Sequence, residues 1–340
     1  MYLMNFENNQ GFAIVSADSR TTPVLAIIDE GSLSLDTLSR VDNPGFLIFL
    51  EQAMMMQLRE IAGNKEVMRT SESVISGLSE KMDTKATVLL NIPARLKTKW
   101  GQREPYNMLC PTGTRTGCVI TAMAQALSFF KTPGSVSWRH NNSFGSSVLN
   151  WNQIIADCEN ANIGGGYGRL NSATTPASSV LQVAHLMRYL GLAVNAKYGN
   201  KGTEADSGDA ISVLKTYHGL SSAGLKSYNV NDVRNALANN SNALVYSRAN
   251  ATKKKVLGIT VGYGDGHAWI IDGAQRIYYS ANDIKDYVHC NWGWYGQCDG
   301  FYISDGFYTK QGPVFVGPND NGGTDEYNFI HENKYAVLSR

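Results

Sequence analysis

Between Gly11 and Leu33 apolar and polar positions alternate in GFAIVSADSRTTPVLAIIDEGSL, the period-two pattern of two half-buried strands separated by a turn around Arg20 to Pro23. From Pro44 the spacing changes. The run GFLIFLEQAMMMQLREIAG has helical length and apolar periodicity, with Gly63 as its expected stop. Asn64 to Lys85 is polar, charged and serine-rich and reads as an exposed connection, which places a domain boundary near Lys85. Two units are therefore expected, 1–85 and 86–340.

Beyond the boundary, helical periodicity begins at Cys118, returns from about Pro176 to Leu190, and appears once more at Val230 to Asn239. The stretch Tyr198 to Ala210, rich in Gly, Asp and Ser, is expected to be a mobile loop. After Asn242 the pattern changes in kind. ALVYSR, HAWIIDGA, IYYSA, DYVHCNWGW and GFYIS are short, β-branched or aromatic, and divided by glycine or polar turns, which predicts an antiparallel sheet. Helices followed by strands make the expected class α+β.

Composition narrows the function classes. Thirty Lys and Arg against 29 Asp and Glu leave a net charge of +1, so no general electrostatic attraction to nucleic acid or an anionic membrane is expected. No apolar run reaches 18 residues, and MYLMNFENNQ lacks the basic start and apolar stretch of a signal peptide, so a soluble chain is expected, with any secretion signal lost before Met1. The five cysteines are odd in number and irregular in spacing, so they do not read as a disulfide framework.

One of them stands apart. Cys118 follows Gly117 at the head of an apolar helix, where free backbone amides and the helix dipole favour a thiolate, and Gly117 leaves room beside the sulfur. A cysteine in an apolar setting is more often a buried packing residue, so a partner is needed. The glycine-rich turn Gly262 to Gly266 delivers His267 to the start of an apolar strand, 149 positions on (118 to 267). Cysteine peptidases whose nucleophile opens a helix carry their histidine at about this distance. In HCNWGWYGQCDGFY, Asn291 is placed to orient that imidazole and Trp292 to shield the bond from water. Gln102, 16 positions before Cys118 (102 to 118), would pair its side-chain N–H with the Cys118 N–H as an oxyanion hole. Cys290 and Cys298 near His289 do not make a zinc pattern, since no second cysteine pair accompanies them. No metal or cofactor is expected.

These four stretches, in order between Trp100 and Phe301, resemble the streptopain family of bacterial papain-like cysteine peptidases, with interpain-type members the most similar. The matching residues are Gln102 with Pro105 to Asn107, Thr116 to Val119 with Ala124 and Gln125, Gly266 to Ala268 with Ile271 to Gly273, and Asn291 to Trp294 with Asp299 to Phe301. The resemblance implies a papain-like fold, with a helical part bearing the nucleophile and an antiparallel sheet part, preceded by a small α+β pro-domain similar to GFAIVSADSR. It implies Cys118 as nucleophile, His267 as base and acid, Gln102 as oxyanion donor, and Asn291 with Trp292 as orienting residues. It further implies a secreted, self-processing zymogen whose pro-domain is its own inhibitor, whose mature part begins near Ala86, and whose protein or peptide substrates carry a hydrophobic side chain two residues before the scissile bond. Two other readings stay open: a non-catalytic binding protein on this fold, and an acyl transferase using the same Cys/His pair. So does any pairing among Cys110, Cys158, Cys290 and Cys298.

Overall fold

The computed structural model describes residues 1–69, 86–163, 168–199, 202–249, 254–256, 259–261, 266–280, 283–307, 314–318, 324–328 and 333–340. Strands β1 (Tyr2–Asn5), β2 (Phe12–Val15) and β3 (Val24–Ile28) precede a single-turn helix α1 (Leu35–Leu38) and the long α2 (Pro44–Arg69). Then come β4 (Thr87–Ile92), α3 (Cys118–Phe130), the hairpin β5 (Ser135–His140) and β6 (Ser143–Val148), α4 (Trp151–Glu159), α5 (Ala177–Ala193), the short pair β7 (Lys197–Tyr198) and β8 (Thr203–Glu204), and α6 (Ser207–His218). After β9 (Lys226–Ser227) and α7 (Val230–Asn239) strands prevail: β10 (Ala243–Ala249), β11 (Lys254–Val256), β12 (Ile259–Val261), β13 (His267–Ser280), β14 (Asp283–Asn291), β15 (Gly300–Ile303), β16 (Val314–Pro318), β17 (Thr324–Asn328) and β18 (Asn333–Ser339).

The expected class stands, and one antiparallel sheet organises it. Its order is β1-β2-β3-β15-β14-β13-β10-β18-β9, with β4 alongside the far half of β13. The amino-terminal strands do not form a sheet of their own. Ile28 of β3 pairs with Gly300 of β15, so both parts of the chain share one hydrogen-bonded ladder.

Alternation within the strands splits the core in two. In β10 Leu244 and Tyr246 join one cluster and Val245 the other; in β13 Ala268 and Ile270 face one side, Trp269 and Ile271 the opposite side. The first side packs against α3 to α6. The second receives α2, whose buried Phe46, Phe49, Ala53 and Met56 recur at helical spacing. Phe49 sits edge-on to Tyr302 with centroids 4.6 Å apart, and Phe46 contacts both Phe12 and Tyr302 at 6.4 Å. Each fully buried aromatic is worth ~1.5–3 kcal/mol of transfer free energy, so α2 is bound firmly to the sheet.

Three expectations need adjusting. Helix α2 runs through Gly63 to Arg69, because a single interior glycine costs only ~1 kcal/mol against its buried face. The expected loop Tyr198 to Ala210 instead contains the β7/β8 pair and the first turn of α6, whose cap Asp206 accepts from the N–H groups of Gly208 and Asp209 at 2.7 and 3.0 Å. Asp206 thus serves the helix cap and not a free loop, and residues 200–201 lie outside the described residues. Helix α4 was not foreseen; Asn150 caps it by accepting from the Gln153 N–H at 3.2 Å. The connection 70–85 and the turn 262–265 lie outside the described residues.

Candidate active site

Cys118 opens α3, as its position after glycine predicts. Gly117 takes φ +94, and a Cβ there would come within 2.9 Å of the Thr203 carbonyl, so glycine is required both by conformation and by space. The Thr203 hydroxyl donates to the Arg115 carbonyl at 2.6 Å, pinning the approach to the helix. Gln102 is tied through backbone to the approach to α3: the Thr116 N–H, two residues before Cys118, donates to the Gln102 carbonyl at 2.9 Å. Its side chain is largely buried and lines a cavity that also touches Trp294 and Tyr295. Tyr295 in turn packs on Gly101, where a Cβ would meet the ring at 2.3 Å.

His267 begins β13, but its ring belongs to the α2 side of the sheet. It is stacked on Trp269 at 6.2 Å and 11°, edge-on to Trp294 at 6.3 Å, and 6.4 Å from Trp292. The ring Nε2 lies 2.8 Å from the Trp292 backbone carbonyl. A carbonyl only accepts, so the proton is on Nε2 and Nδ1 keeps its lone pair. Burial, opposed by that carbonyl, lowers the His267 pKa to about 4. The ring is thus neutral.

The sulfur of Cys118 meets the backbone N–H of Ala268, one residue on from His267. Among the described residues no hydrogen bond joins Cys118 to the His267 ring. Consequently the lowered thiol pKa expected at a helix start is not found in this arrangement: burial raises it, and the N–H groups of Ala268, Val119 and Cys118 only partly compensate. Without an imidazolium beside it, the thiol is held protonated.

Asn291 also departs from expectation. Its Oδ1 accepts from Gln125 Nε2 at 2.8 Å and from the Gly293 N–H at 3.2 Å, and its Nδ2 donates to the Thr98 carbonyl at 2.9 Å. The carboxamide therefore ties the turn after β14 to α3 and to the segment leading to Gln102, and it makes no bond to His267. Trp292 is fully buried, with its indole N–H on the Cys298 carbonyl at 2.9 Å and its backbone N–H on Asp299 Oδ1 at 2.9 Å. It anchors the turn and also supplies the carbonyl that holds His267.

Two structural contributions were not read from the sequence, although Gln125 itself lies in a matching motif. Gln125 is a buried glutamine in an otherwise apolar helix, and it clamps both Asn291 and the Trp100 N–H, the latter at 3.0 Å. A polar residue amid Ala and Leu was the available signal. The second is the segment that leads into the first turn of α2. Asp42 accepts from the Trp294 indole at 2.9 Å, Asn43 donates to the Gln297 carbonyl at 2.6 Å, and Gly45 lies against the site so closely that a Cβ would meet Trp292 Cε3 at 2.2 Å and His267 Cδ2 at 2.7 Å. All five cysteines are free thiols, including those whose pairing was open.

Residues 100–302 match the model of the Peptidase C10 family, and residues 1–56 that of the Spi protease inhibitor. The chain is 24% identical over 336 residues to streptopain of Streptococcus pyogenes, across 90% of this chain and 74% of the relative. It is 24% identical over 360 residues to the thiol protease/hemagglutinin PrtT of Porphyromonas gingivalis, across 96% of this chain and 36% of that protein. In fold it is similar to a fragment of Prevotella intermedia prointerpain A, with a TM-score of 0.56, 22% identity, and coverage of 99% of this chain and 97% of the fragment. Since the first match spans more than half of the sequence, the chain belongs to the Peptidase C10 family and is a cysteine endopeptidase carrying an amino-terminal pro-domain.

Proposed function

We propose that the chain is a latent, secreted endopeptidase in which Cys118 attacks the peptide bond, and in which residues 1–85 suppress activity until they are cut away by the enzyme itself. In the active arrangement the Cys118 thiolate adds to the carbonyl carbon while Gln102 Nε2 and the Cys118 N–H hold the oxyanion. His267, protonated by the thiol, passes that proton to the leaving amine as the C–N bond breaks. Water, deprotonated by His267, then adds to the thioester, and the Cys118 sulfur leaves to regenerate the thiol. Asn291 and Trp292 orient the imidazole, Asn291 through the turn it braces.

The observation that carries this reading is the division at the head of β13. Ala268 faces the Cys118 sulfur while the neighbouring imidazole is turned onto the Trp292 carbonyl beneath Gly45. The proposed base is thus turned to the side occupied by α2, away from the cluster in which Cys118 packs, which supports a latent arrangement. A cut before Ala86 would leave β4 in the sheet, paired with β13, and release β1 to α2 as a unit.

The test is a time course of wild-type and Cys118→Ala protein under reducing conditions, following chain mass and hydrolysis of a fluorogenic peptide. Wild type should lose roughly the mass of 85 residues and gain activity while Cys118→Ala stays whole and silent. Equal trimming of both proteins would remove self-processing, and peptide hydrolysis by Cys118→Ala would remove Cys118 from the mechanism.

A further inference from the structure

A cavity of about 930 Å³ lies between the segment Glu30–Asp42 and the catalytic part at Gln102 and Trp294–Cys298. At its edge one carboxylate of the pro-domain rests on two cations of the peptidase. Glu30 Oε1 accepts from Arg169 Nη2 at 2.5 Å and from Lys99 Nζ at 3.5 Å. The floor of this cradle is Gly296, at φ +75. A Cβ there would come within 2.6 Å of Lys99 Cδ, 2.8 Å of Glu30 Oε1 and 3.3 Å of Arg169 Nη2, so the convergence of the three groups requires glycine.

The two cations are joined to the oxyanion turn. Lys99 stands three positions before Gln102, and its backbone N–H donates to the Gly168 carbonyl at 2.7 Å, which fixes Arg169 next to it. Gln102 and Arg169 line the same cavity. When the pro-domain departs, Glu30 leaves with it, and Lys99 and Arg169 lose the carboxylate that bridges them. A guanidinium and an ammonium converging over a backbone floor form a receptor for a carboxylate.

We propose that Lys99 and Arg169 form a substrate subsite for an acidic side chain, on the side of the cleft lined by Gln102 and Trp294, and that Glu30 occupies it in the latent enzyme as a stand-in for substrate. This rests on the reading of Cys118 and Gln102 as the reacting centre. The subsite is partly open to solvent, with Lys99 and Arg169 side chains 21% and 32% exposed, so its discrimination is modest, roughly 5–10-fold, and weakens with salt.

The test takes the full chain after activation under reducing conditions and presents peptides carrying Glu or Gln at each of the four positions on either side of one cleavable bond. The ratio of kcat/KM for Glu over Gln is read within one enzyme preparation, so that partial loss of folded protein cancels. At one position wild type should favour Glu by roughly 5–10-fold, with the ratio falling in 0.5 M salt (about a 4 Å screening length). In Lys99→Met/Arg169→Gln, and to a lesser degree in Arg169→Gln alone, that ratio should fall to about 1. Ratios that are the same in wild type and both variants at every position overturn the subsite and leave the Cys118 reading intact. Absence of any Cys118-dependent cleavage overturns both.

Discussion

Asp29 and His289 meet across the seam between pro-domain and peptidase, the Asp29 carboxylate 2.9 Å from His289 Nε2, while Asp272 accepts from the other ring nitrogen at 2.6 Å. Asp272 is itself held by the N–H groups of Arg95 and Leu96 at 2.9 and 2.8 Å. Burial works against charge on this imidazole, but Asp272 and then Asp29 outweigh it and raise its pKa to about 10, so the ring is a buried cation shared by two carboxylates. Asp29→Asn removes the half-exposed partner and should weaken docking of the pro-domain by ~1–3 kcal/mol, read as a lower urea midpoint and faster activation. An unchanged midpoint would show that Asp272 alone satisfies the ring.

Gly45 of the pro-domain lies against the imidazole. Gly45→Val places a branched side chain where even a Cβ would overlap Trp292 and His267, and α2 must shift outward. The full-length variant should hydrolyse a fluorogenic peptide sooner than wild type, with the lag before activity shortened several-fold. A lag as long as that of wild type would mean that latency does not depend on this contact.

Latency should have a defined pH window. The docked His267 ring has its pKa lowered to about 4, whereas an exposed imidazole titrates near ~6.5. Between these values the undocked state binds the extra proton, so docking is fully supported above ~6.5 and loses this contribution as the pH falls towards 4. His289 sets the opposite edge: Asp272 stays with the ring when the pro-domain leaves, so docking gains only the Asp29 share of the raised pKa and loses it as the pH rises through about 10. Cys118→Ala protein nicked in the connection by an added peptidase should keep its pro-domain on size exclusion at pH 7–8 and release it near pH 4.5. Equal retention at both would contradict the assignment of the His267 ring to a buried, neutral state.

The thiol itself should report the latent arrangement. Because burial raises the Cys118 pKa, iodoacetamide at neutral pH should label it at least ~10-fold more slowly in the intact chain than after activation. In the activated enzyme Gln102→Ala should slow turnover roughly 100-fold, the value of one oxyanion donor, without preventing folding. An unaltered rate would remove Gln102 from the reaction.

Strands β10, β13, β14 and β15 were legible because short β-branched or aromatic stretches divided by glycine or polar turns are a local signal, although HAWIIDGA and IYYSA form one strand and β11 and β12 were not read. The start of α3 was legible because glycine followed by cysteine heads an apolar run. The components of the site were legible for the same reason: each lies in a short stretch whose chemistry is visible by itself. The state of the site was not. The His267 ring is approached by Gly45, which is remote in sequence and carries no side chain to advertise a contact. Gln125 was visible as an oddity, but its partners Trp100 and Asn291 stand 25 and 166 positions away, and only the fold brings them together. The connection of β3 to β15 is likewise a pairing between distant strands that no local pattern encodes.

That connection also changes what maturation does to the molecule. In the latent chain β15 is an interior strand, bonded to β14 on one side and β3 on the other. Removal of the first three strands turns Gly300–Ile303 into a sheet edge with open N–H and C=O groups, a template for any extended segment that arrives. The proposed cut would therefore also create a strand-binding rim, only four residues long. Its brevity is the guard against self-association that a newly exposed edge requires.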